Sequence, residues 1–121
     1  MPQLEAKLQP RLRFPDNSGE AFGPGKAELL RHIAATGSIR SAAQELGMSY
    51  NRAWLLVTGM NSLFREPVVL STRGGGSGGG AVLTPLGEQV LGLYTKMEEA
   101  CVAATRSDWE KLSRLLRRAN D

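Results

Sequence analysis

The 121-residue sequence has few of the side chains that most often carry chemistry: one cysteine, one histidine and 6% aromatic residues. A lone cysteine, Cys101, cannot form an internal disulfide, which is typical of a protein from a reducing compartment. The one histidine, His32, has no cysteine, aspartate or second histidine near it in the sequence, so it is expected on the surface rather than in a metal site. Without a nucleophile–base pair or clustered carboxylates, the sequence argues against an enzyme, and no cofactor is expected.

The sequence also lacks a long apolar run. No uncharged apolar stretch approaches the roughly 20 residues needed to cross a bilayer. Residues 1–14 have no apolar stretch after their charges, so they do not resemble a signal peptide. We therefore expect a chain with no membrane partner, located in the cytoplasm, whose length favours one small folded core.

The excess of basic residues is small but localised. The formal net charge is +3. Residues 1–24 and 84–121 each balance, whereas residues 25–83 contain six basic and three acidic side chains and so hold the whole excess. A polyanion would be attracted to this middle segment.

The middle segment has the pattern of three helices separated by glycine-containing turns. Residues 26–35 carry a helical apolar stripe. That stripe consists of Leu29, Leu30, Ile33 and Ala34. A short helix is predicted over 39–46 with Ser38 as its N-cap, then a longer one over 49–64 with Ser49 as its N-cap. This order and spacing are those of a helix-turn-helix.

The helix predicted over 49–64 combines an apolar face with a polar first turn. The apolar face comprises Ala53, Val57, Met60 and Phe64. Tyr50, Asn51 and Arg52 point elsewhere, and such a first turn suits insertion into a DNA major groove. Trp54 lies between the two faces and is predicted to pack rather than to read bases. An ordinary amphipathic helix has the same pattern, so the flanking segments decide between the two.

A glycine-rich loop between two short apolar runs follows this helix. The runs 68–70 and 81–83 are predicted strands, and the loop 74–80 would let the backbone approach a phosphate closely. Strand, loop and strand directly after a helix-turn-helix form a wing. The loop lacks a lysine and precedes a strand, which excludes a nucleotide phosphate-binding loop. A flexible linker between domains is the alternative, which the short helical remainder disfavours.

At the N-terminus, apolar and polar residues alternate over residues 4–14. This period of two predicts a half-buried edge strand, interrupted near Pro10, that pairs with the run 68–71 or 81–83. Residues 15–25 have the composition of a turn.

The C-terminal part predicts a long helix over 85–105, with Thr84 as N-cap and Pro85 at its first position. Apolar residues recur there at near-heptad spacing: Leu86, Val90, Leu93, Met97, Cys101 and Ala104. A chain this small cannot bury the whole helix against its own core, so a second copy is the predicted partner. A helix folded back on the core is the alternative. A capping-box pattern at Ser107 predicts a separate helix over 107–120.

Several short motifs occur in a specific order and spacing. They are Thr36-Gly37-Ser38-Ile39, Ala42-Ala43, Leu46-Gly47-Met48-Ser49-Tyr50, Ala53-Trp54, Met60-Asn61, the glycine run 74–80 and Ala81-Val82-Leu83-Thr84-Pro85-Leu86-Gly87. In this arrangement residues 25–95 resemble the N-terminal DNA-binding domain of the ModE family, relatives of the LysR-type winged helix-turn-helix regulators. The family regulates genes of molybdate uptake and molybdenum-enzyme metabolism, and many members carry a second half that binds molybdate. The chain ends where that half would begin, so the resemblance implies a stand-alone DNA-binding form that does not itself bind molybdate.

Together the patterns and the resemblance predict a mainly α-helical protein with a small antiparallel sheet. A winged helix-turn-helix is expected over 1–83, with its wing at 68–83, followed by a helical dimerisation segment over 84–121. The predicted function is that of a transcriptional regulator that binds double-stranded DNA as a homodimer and reads a pseudo-palindromic site with helix 49–64. A winged-helix module that binds another protein is the alternative.

The predicted DNA contacts lie at the helix starts and in the wing. They are Ser38, Arg40, Ser41, Ser49, Tyr50, Asn51, Arg52, Arg73, Gly75, Gly76 and Ser77. Arg52 is the candidate for reading guanine, and Asn51 for adenine or a phosphate. The residues at the start of helix 39–46 are expected to hold the DNA backbone. The predicted dimer contacts are Leu86, Val90, Leu93, Met97 and Cys101.

Overall fold

The computed structural model describes residues 8–15, 20–72 and 80–117. Their elements, in chain order, are β1 (Leu12–Arg13), β2 (Ala21–Phe22), α1 (Pro24–Thr36), α2 (Ile39–Leu46), α3 (Tyr50–Leu63), β3 (Val69–Thr72), β4 (Gly80–Leu83) and α4 (Pro85–Ser113). This mainly helical architecture with small antiparallel sheets and a long last helix confirms the predicted fold class and is consistent with a winged helix. Within the described ranges, no helix is both long and apolar enough to cross a membrane.

Local capping interactions fix the ends of the central helices as the sequence predicts. Ser38 and Ser49 each accept a hydrogen bond on Oγ from the backbone N–H three residues on, at 3.1 and 3.0 Å. Gly37 and Gly47 follow α1 and α2 with φ of 72° and 69°. Glycine adopts this left-handed conformation without the penalty that a Cβ imposes, so it ends a helix readily.

The core lies between α1, α2 and α3 and is closed by β4 and the first half of α4. The predicted apolar faces supply it, with Ala53, Val57, Met60, Leu29, Leu30 and Ile33 all buried. Phe64, one residue beyond α3, packs half-buried against it. Ala34 was expected in the α1 stripe but is exposed, because the described elements cover the Ile33 side of the last turn and not the Ala34 side. Ala27, two helical turns earlier on the same side of α1, is buried.

The N-terminal strand is shorter than predicted and has a different partner. β1 is two residues long and pairs with β2, Leu12 opposite Phe22 and Arg13 opposite Ala21. The predicted pairing with residues 68–71 or 81–83 was wrong, because those runs pair with each other and a neighbouring segment is entropically easier to reach. Pro10 lies outside β1, as a residue without an N–H donor should. Residues 4–7 of the predicted strand lie outside the described ranges.

α4 is one continuous helix, so the prediction of a separate helix starting at Ser107 was wrong. A capping box begins a helix only where the preceding backbone is non-helical. No glycine or proline interrupts residues 93–113, and the chain enters Ser107 already in helical geometry.

The first half of α4 packs on its own core. Gly87 and Tyr94 are the buried residues of the helix, and Val90 packs half-buried beside them. The Tyr94 ring lies edge-on to Phe22, with centroids 5.2 Å apart, and its hydroxyl donates to the Pro10 carbonyl at 2.6 Å. The alternative of a helix folded back on the core is therefore realised for this part of α4.

The β3–β4 hairpin is anchored to the helices at both strands. The carboxamide of Asn61 accepts from the N–H groups of Val68 and Val69 at 2.8 and 3.1 Å and donates to the Val69 carbonyl at 3.0 Å. On the other strand, the N–H of Ala81 donates to the Gly37 carbonyl at 2.8 Å. These bonds fix the hairpin beside the turn between α1 and α2.

Candidate nucleic-acid interface

α2 and α3 bring four of the predicted DNA contacts to exposed positions at their N-terminal ends. These are Arg40, Tyr50, Asn51 and Arg52. The guanidinium carbon of Arg40, on α2, lies 4.5 Å from the centroid of the Tyr50 ring, on α3. This cation–π contact joins the two helices and restricts both side chains before any ligand is bound.

Three of the four predicted serine contacts, Ser38, Ser41 and Ser49, serve the helices themselves. Ser38 and Ser49 are the N-caps of α2 and α3, and Ser41 is half-buried and supplies the N–H that Ser38 caps. Neither helix has an acidic residue in its first turn, whereas α4 has Glu88 there. The positive dipole ends of α2 and α3 are therefore not neutralised by their own carboxylates, which favours an anion such as a phosphate.

The predicted wing contacts, namely Arg73, Gly75, Gly76 and Ser77, lie outside the described residues. The strands that flank them are described and are in register from Val69 opposite Leu83 to Thr72 opposite Gly80. A Cβ at Gly80 would lie 2.8 Å from the Thr72 hydroxyl oxygen, so this position needs glycine or a shift of that side chain.

The exposed face of α3 contains two large apolar side chains that sequence reasoning misjudged or missed. Trp54 is 42% exposed, so the prediction that it packs was wrong. It follows Tyr50 by one turn, and the core contacts on this stretch are made by Ala53 and Val57 instead. Leu55 is 62% exposed. Its position one turn after Asn51 could have revealed it, since residues four apart share a helix face.

The polar side chains on this face differ in their hydrogen bonding between the first turn of α3 and the rest of the helix. Asn51 and Arg52, in the first turn, make no side-chain hydrogen bond to another described residue. Further along, the Thr58 hydroxyl donates to the Trp54 carbonyl at 2.9 Å and the Ser62 hydroxyl donates to the Gly59 carbonyl at 3.0 Å. On this face of α3, the polar side chains without a partner among the described residues are thus those of the first turn.

A cleft beside α3 gathers basic side chains from three segments: Arg11, Lys26 and Arg52. Lys26 donates to Glu20 at 2.8 Å and to a backbone carbonyl, which leaves it neutralised in part. Arg11 and Arg52 are exposed. Sequence reasoning missed Arg11 because the β1–β2 hairpin that carries it was predicted as a strand and a turn.

His32 joins α1 to α2. It was expected on the surface rather than in a metal site; it is half-buried, and its Nδ1 lies 2.5 Å from a carboxylate oxygen of Glu45. Its Nε2 is 3.7 Å from Glu28. Across the part of the chain that the structure describes, no group of three or more His, Cys, Asp or Glu side chains is arranged to hold a metal ion.

The predicted dimer seam lies partly on the core side of α4 and partly in solvent. Leu86, Val90, Met97 and Cys101 are half-buried in the single chain, and Leu93 is 53% exposed. Further exposed leucines, Leu112 among them, continue towards the end of the helix. The single chain therefore leaves apolar surface on α4 that its own core does not cover.

Comparison with known proteins supplies a family for this arrangement. No protein-family model matches the chain. It is 46% identical over 96 residues to the molybdenum-pterin-binding protein MopB of Rhodobacter capsulatus. The matched residues make up 79% of this chain and 35% of MopB. It is 42% identical over 91 residues to the DNA-binding transcriptional dual regulator ModE of Escherichia coli, covering 75% of this chain and 32% of the relative.

The molybdenum transport protein ModE of Azotobacter vinelandii is 35% identical over 88 residues, which is 73% of this chain and 33% of that protein. The chain thus spans about a third of the length of the curated relatives it matches. These matches support a ModE-family domain over about three quarters of this chain.

Proposed function

We propose that this chain is a DNA-binding transcriptional regulator in molybdate homeostasis. The observation that carries the proposal is the pairing of two helix N-termini, free of acidic first-turn residues, with exposed basic and polar side chains beside them. Relatives named as transcriptional regulators support the same reading. The proposed activity is binding in the cytoplasm to double-stranded DNA, without catalysis.

In this proposal α3 enters the major groove. Arg52 contacts a guanine and Asn51 an adenine or a phosphate, the pairings that their donor geometry favours. Arg40, oriented by the Tyr50 ring, contacts the DNA backbone together with the start of α2. The loop with Arg73, Gly75, Gly76 and Ser77 contacts the adjacent minor groove or its phosphates.

The proposed DNA-bound form is a homodimer that reads a pseudo-palindromic site. Its seam is the α4 set Leu86, Val90, Leu93, Met97 and Cys101, and exposed Leu93 supports it. Sedimentation of the wild-type chain and of Leu93→Glu tests the seam, with a dimer expected for the first and a shift towards monomer for the second. An unchanged oligomeric state in Leu93→Glu would contradict this assignment.

The support for a link to molybdenum comes from the names of the relatives alone, and this chain spans about a third of their length. Molybdate binding by this chain is therefore not part of the proposal. The link to molybdate homeostasis concerns the genes that the regulator would control.

The test is selection of binding sites from random duplex DNA at two salt concentrations, with Arg52→Ala and Arg114→Ala compared. Arg114 is an exposed arginine at the end of α4 and serves as the matched control. We expect a pseudo-palindromic site, affinity that falls steeply with salt, and loss of preference at one base of each half-site, roughly tenfold or more, in Arg52→Ala alone. Failure to enrich any sequence would contradict the proposal and favour a protein-binding module.

A further inference from the structure

The exposed face of α3 changes from polar to apolar after its first turn. Residues of an α-helix follow one another at about 100°, so Asn51, Leu55 and Thr58 form one row. That row lies opposite the buried face, and Leu55 is 62% exposed at its centre. Trp54, 42% exposed, lies on the shoulder of the row nearest Tyr50.

Hydrogen bonds within the helix strengthen the apolar character of α3 beyond its first turn. The hydroxyl proton of Thr58 is donated to the Trp54 carbonyl within the helix. The same holds for Ser62, whose hydroxyl donates to the Gly59 carbonyl. A ligand that meets α3 beyond Arg52 therefore meets chiefly hydrocarbon and indole surface.

The charge around this surface indicates what covers it. α3 itself contains no aspartate or glutamate, and Arg40 and Arg52 are exposed beside it. The carboxylate of Glu20 lies against Gly59 of α3, but it is paired with Lys26 at 2.8 Å. A polyanion fits these surroundings better than a neutral or basic protein surface does. On the base edges of the major groove the apolar group is the 5-methyl of thymine, which apolar side chains contact.

We propose that Leu55, with Trp54 beside it, is a specificity-determining residue that contacts thymine 5-methyl groups next to the base pairs read by Asn51 and Arg52. This inference rests on the proposed function. It adds an apolar readout to the polar one and gives a role to an exposed leucine that neither capping nor core packing requires.

The test replaces each thymine of the selected duplex in turn with deoxyuridine, which removes the methyl group and keeps every hydrogen-bonding group of the base. At one or two positions in each half-site we expect the wild-type chain to bind about fourfold more weakly, the value of one buried methyl group. Leu55→Ala or Trp54→Ala should weaken binding to the thymine duplex by at least this factor and lose the response to deoxyuridine at those positions. Leu115→Ala, which changes a leucine 81% exposed beyond the end of α4, should keep both affinity and response.

The possible outcomes distinguish failure of this inference from failure of the proposed DNA-binding function. Equal wild-type affinity for the thymine and deoxyuridine duplexes at every position, with Arg52→Ala still altering base preference, overturns the inference and leaves the proposed function standing. If no duplex is enriched at all, the proposed function fails and this inference fails with it. The wild-type measurement on deoxyuridine needs no variant, so it stays decisive even if a substituted chain misfolds.

Discussion

At the scale of single residues, the two asparagines of α3 show how position determines role. Asn51 is exposed in the first turn and its carboxamide has no described partner within the chain. Asn61 is half-buried ten residues later, and its carboxamide makes three hydrogen bonds to the backbone of Val68 and Val69. The same side chain is thus available to a ligand at one end of the helix and fixes the hairpin at the other.

Asn61→Ala should lower the free energy of unfolding by about 2–3 kcal/mol, because it leaves backbone groups of two buried valines without partners. Urea denaturation followed by circular dichroism measures the change. Asn51→Ala, the matched control, should change it by less than about 0.5 kcal/mol. Equal effects of the two substitutions would show that Asn61 does not anchor β3.

Tyr94 is a second residue whose environment alters its chemistry. Burial raises the pKa of its hydroxyl, and the charge of Glu98 acts in the same direction against the weaker opposing effect of Arg31. The folded state therefore holds this proton more tightly than the unfolded state, in which the pKa is near 10. This contribution to stability is complete below about pH 10 and is lost as pH rises through the folded-state value.

We expect the free energy of unfolding of the wild-type chain to fall more steeply above about pH 10 than that of Tyr94→Phe. Urea denaturation at a series of pH values measures both slopes. Phenolate absorbance in a Tyr50→Phe background, where Tyr94 is the one tyrosine left, should show its titration displaced upwards. Parallel stability curves for the two chains would exclude Tyr94 as the cause.

At the scale of elements, the junction of the hairpin with α4 depends on close backbone approach. Thr84 caps α4 through the N–H of Gly87 at 2.9 Å and donates its own hydroxyl to the Pro67 carbonyl at 2.8 Å. A Cβ at Gly87 would lie 2.1 Å from the Val68 carbonyl oxygen. Only glycine permits α4 to start this close to the hairpin without a backbone shift.

Gly87→Ala should destabilise the fold by about 2 kcal/mol or more, since backbone must move to admit the methyl group. Gly92→Ala, five residues later on the same helix and facing open space, should stabilise it by about 0.5–1 kcal/mol through helix propensity. Thermal and urea denaturation of the two variants give the comparison. A stabilising Gly87→Ala would contradict the close approach.

At the scale of the whole molecule, Arg31 connects α1 to α4. Its guanidinium donates to Glu98 at 2.7 Å and to the Thr95 hydroxyl at 2.9 Å, both on α4, and it also pairs with Glu28 on its own helix. Burial lowers the pKa of Arg31, but the hydrogen bonds to Glu98 and Glu28 and the charges of these two carboxylates together outweigh it and leave that pKa raised. Through these contacts Arg31 links α1 to the middle of α4.

Double-mutant cycles should distinguish the coupling free energies of Arg31 with its two carboxylate partners, Glu98 and Glu28. Glu98 is 17% exposed and Glu28 is 42% exposed, so solvent screens the second pair more strongly. We expect a coupling free energy of about 1 kcal/mol for Arg31 with Glu98 and below about 0.5 kcal/mol for Arg31 with Glu28, from alanine variants in urea denaturation. The reverse order would mean that the pair within α1, rather than the bridge to α4, dominates.

The sequence alone determined the features set by neighbouring residues. These features all depend on spacings of three or four residues. They are the caps at Ser38, Ser49 and Thr84, the left-handed glycines after α1 and α2, and the helical periodicity that buries one face of α3. Each was therefore readable before the structure. The predicted polar first turn of α3 belongs to the same class, since helical periodicity alone places its residues away from the buried face.

Tertiary structure decided what depends on residues far apart in the chain. The partner of β1, the burial of Tyr94 and the continuity of α4 past Ser107 follow from which surfaces meet, and local pattern does not encode that. Exposure of Trp54 was misjudged for the same reason, because a large residue on a helix shoulder is covered only if a neighbouring element reaches it. Capping and periodicity act within one turn, whereas burial depends on the packing of the whole chain.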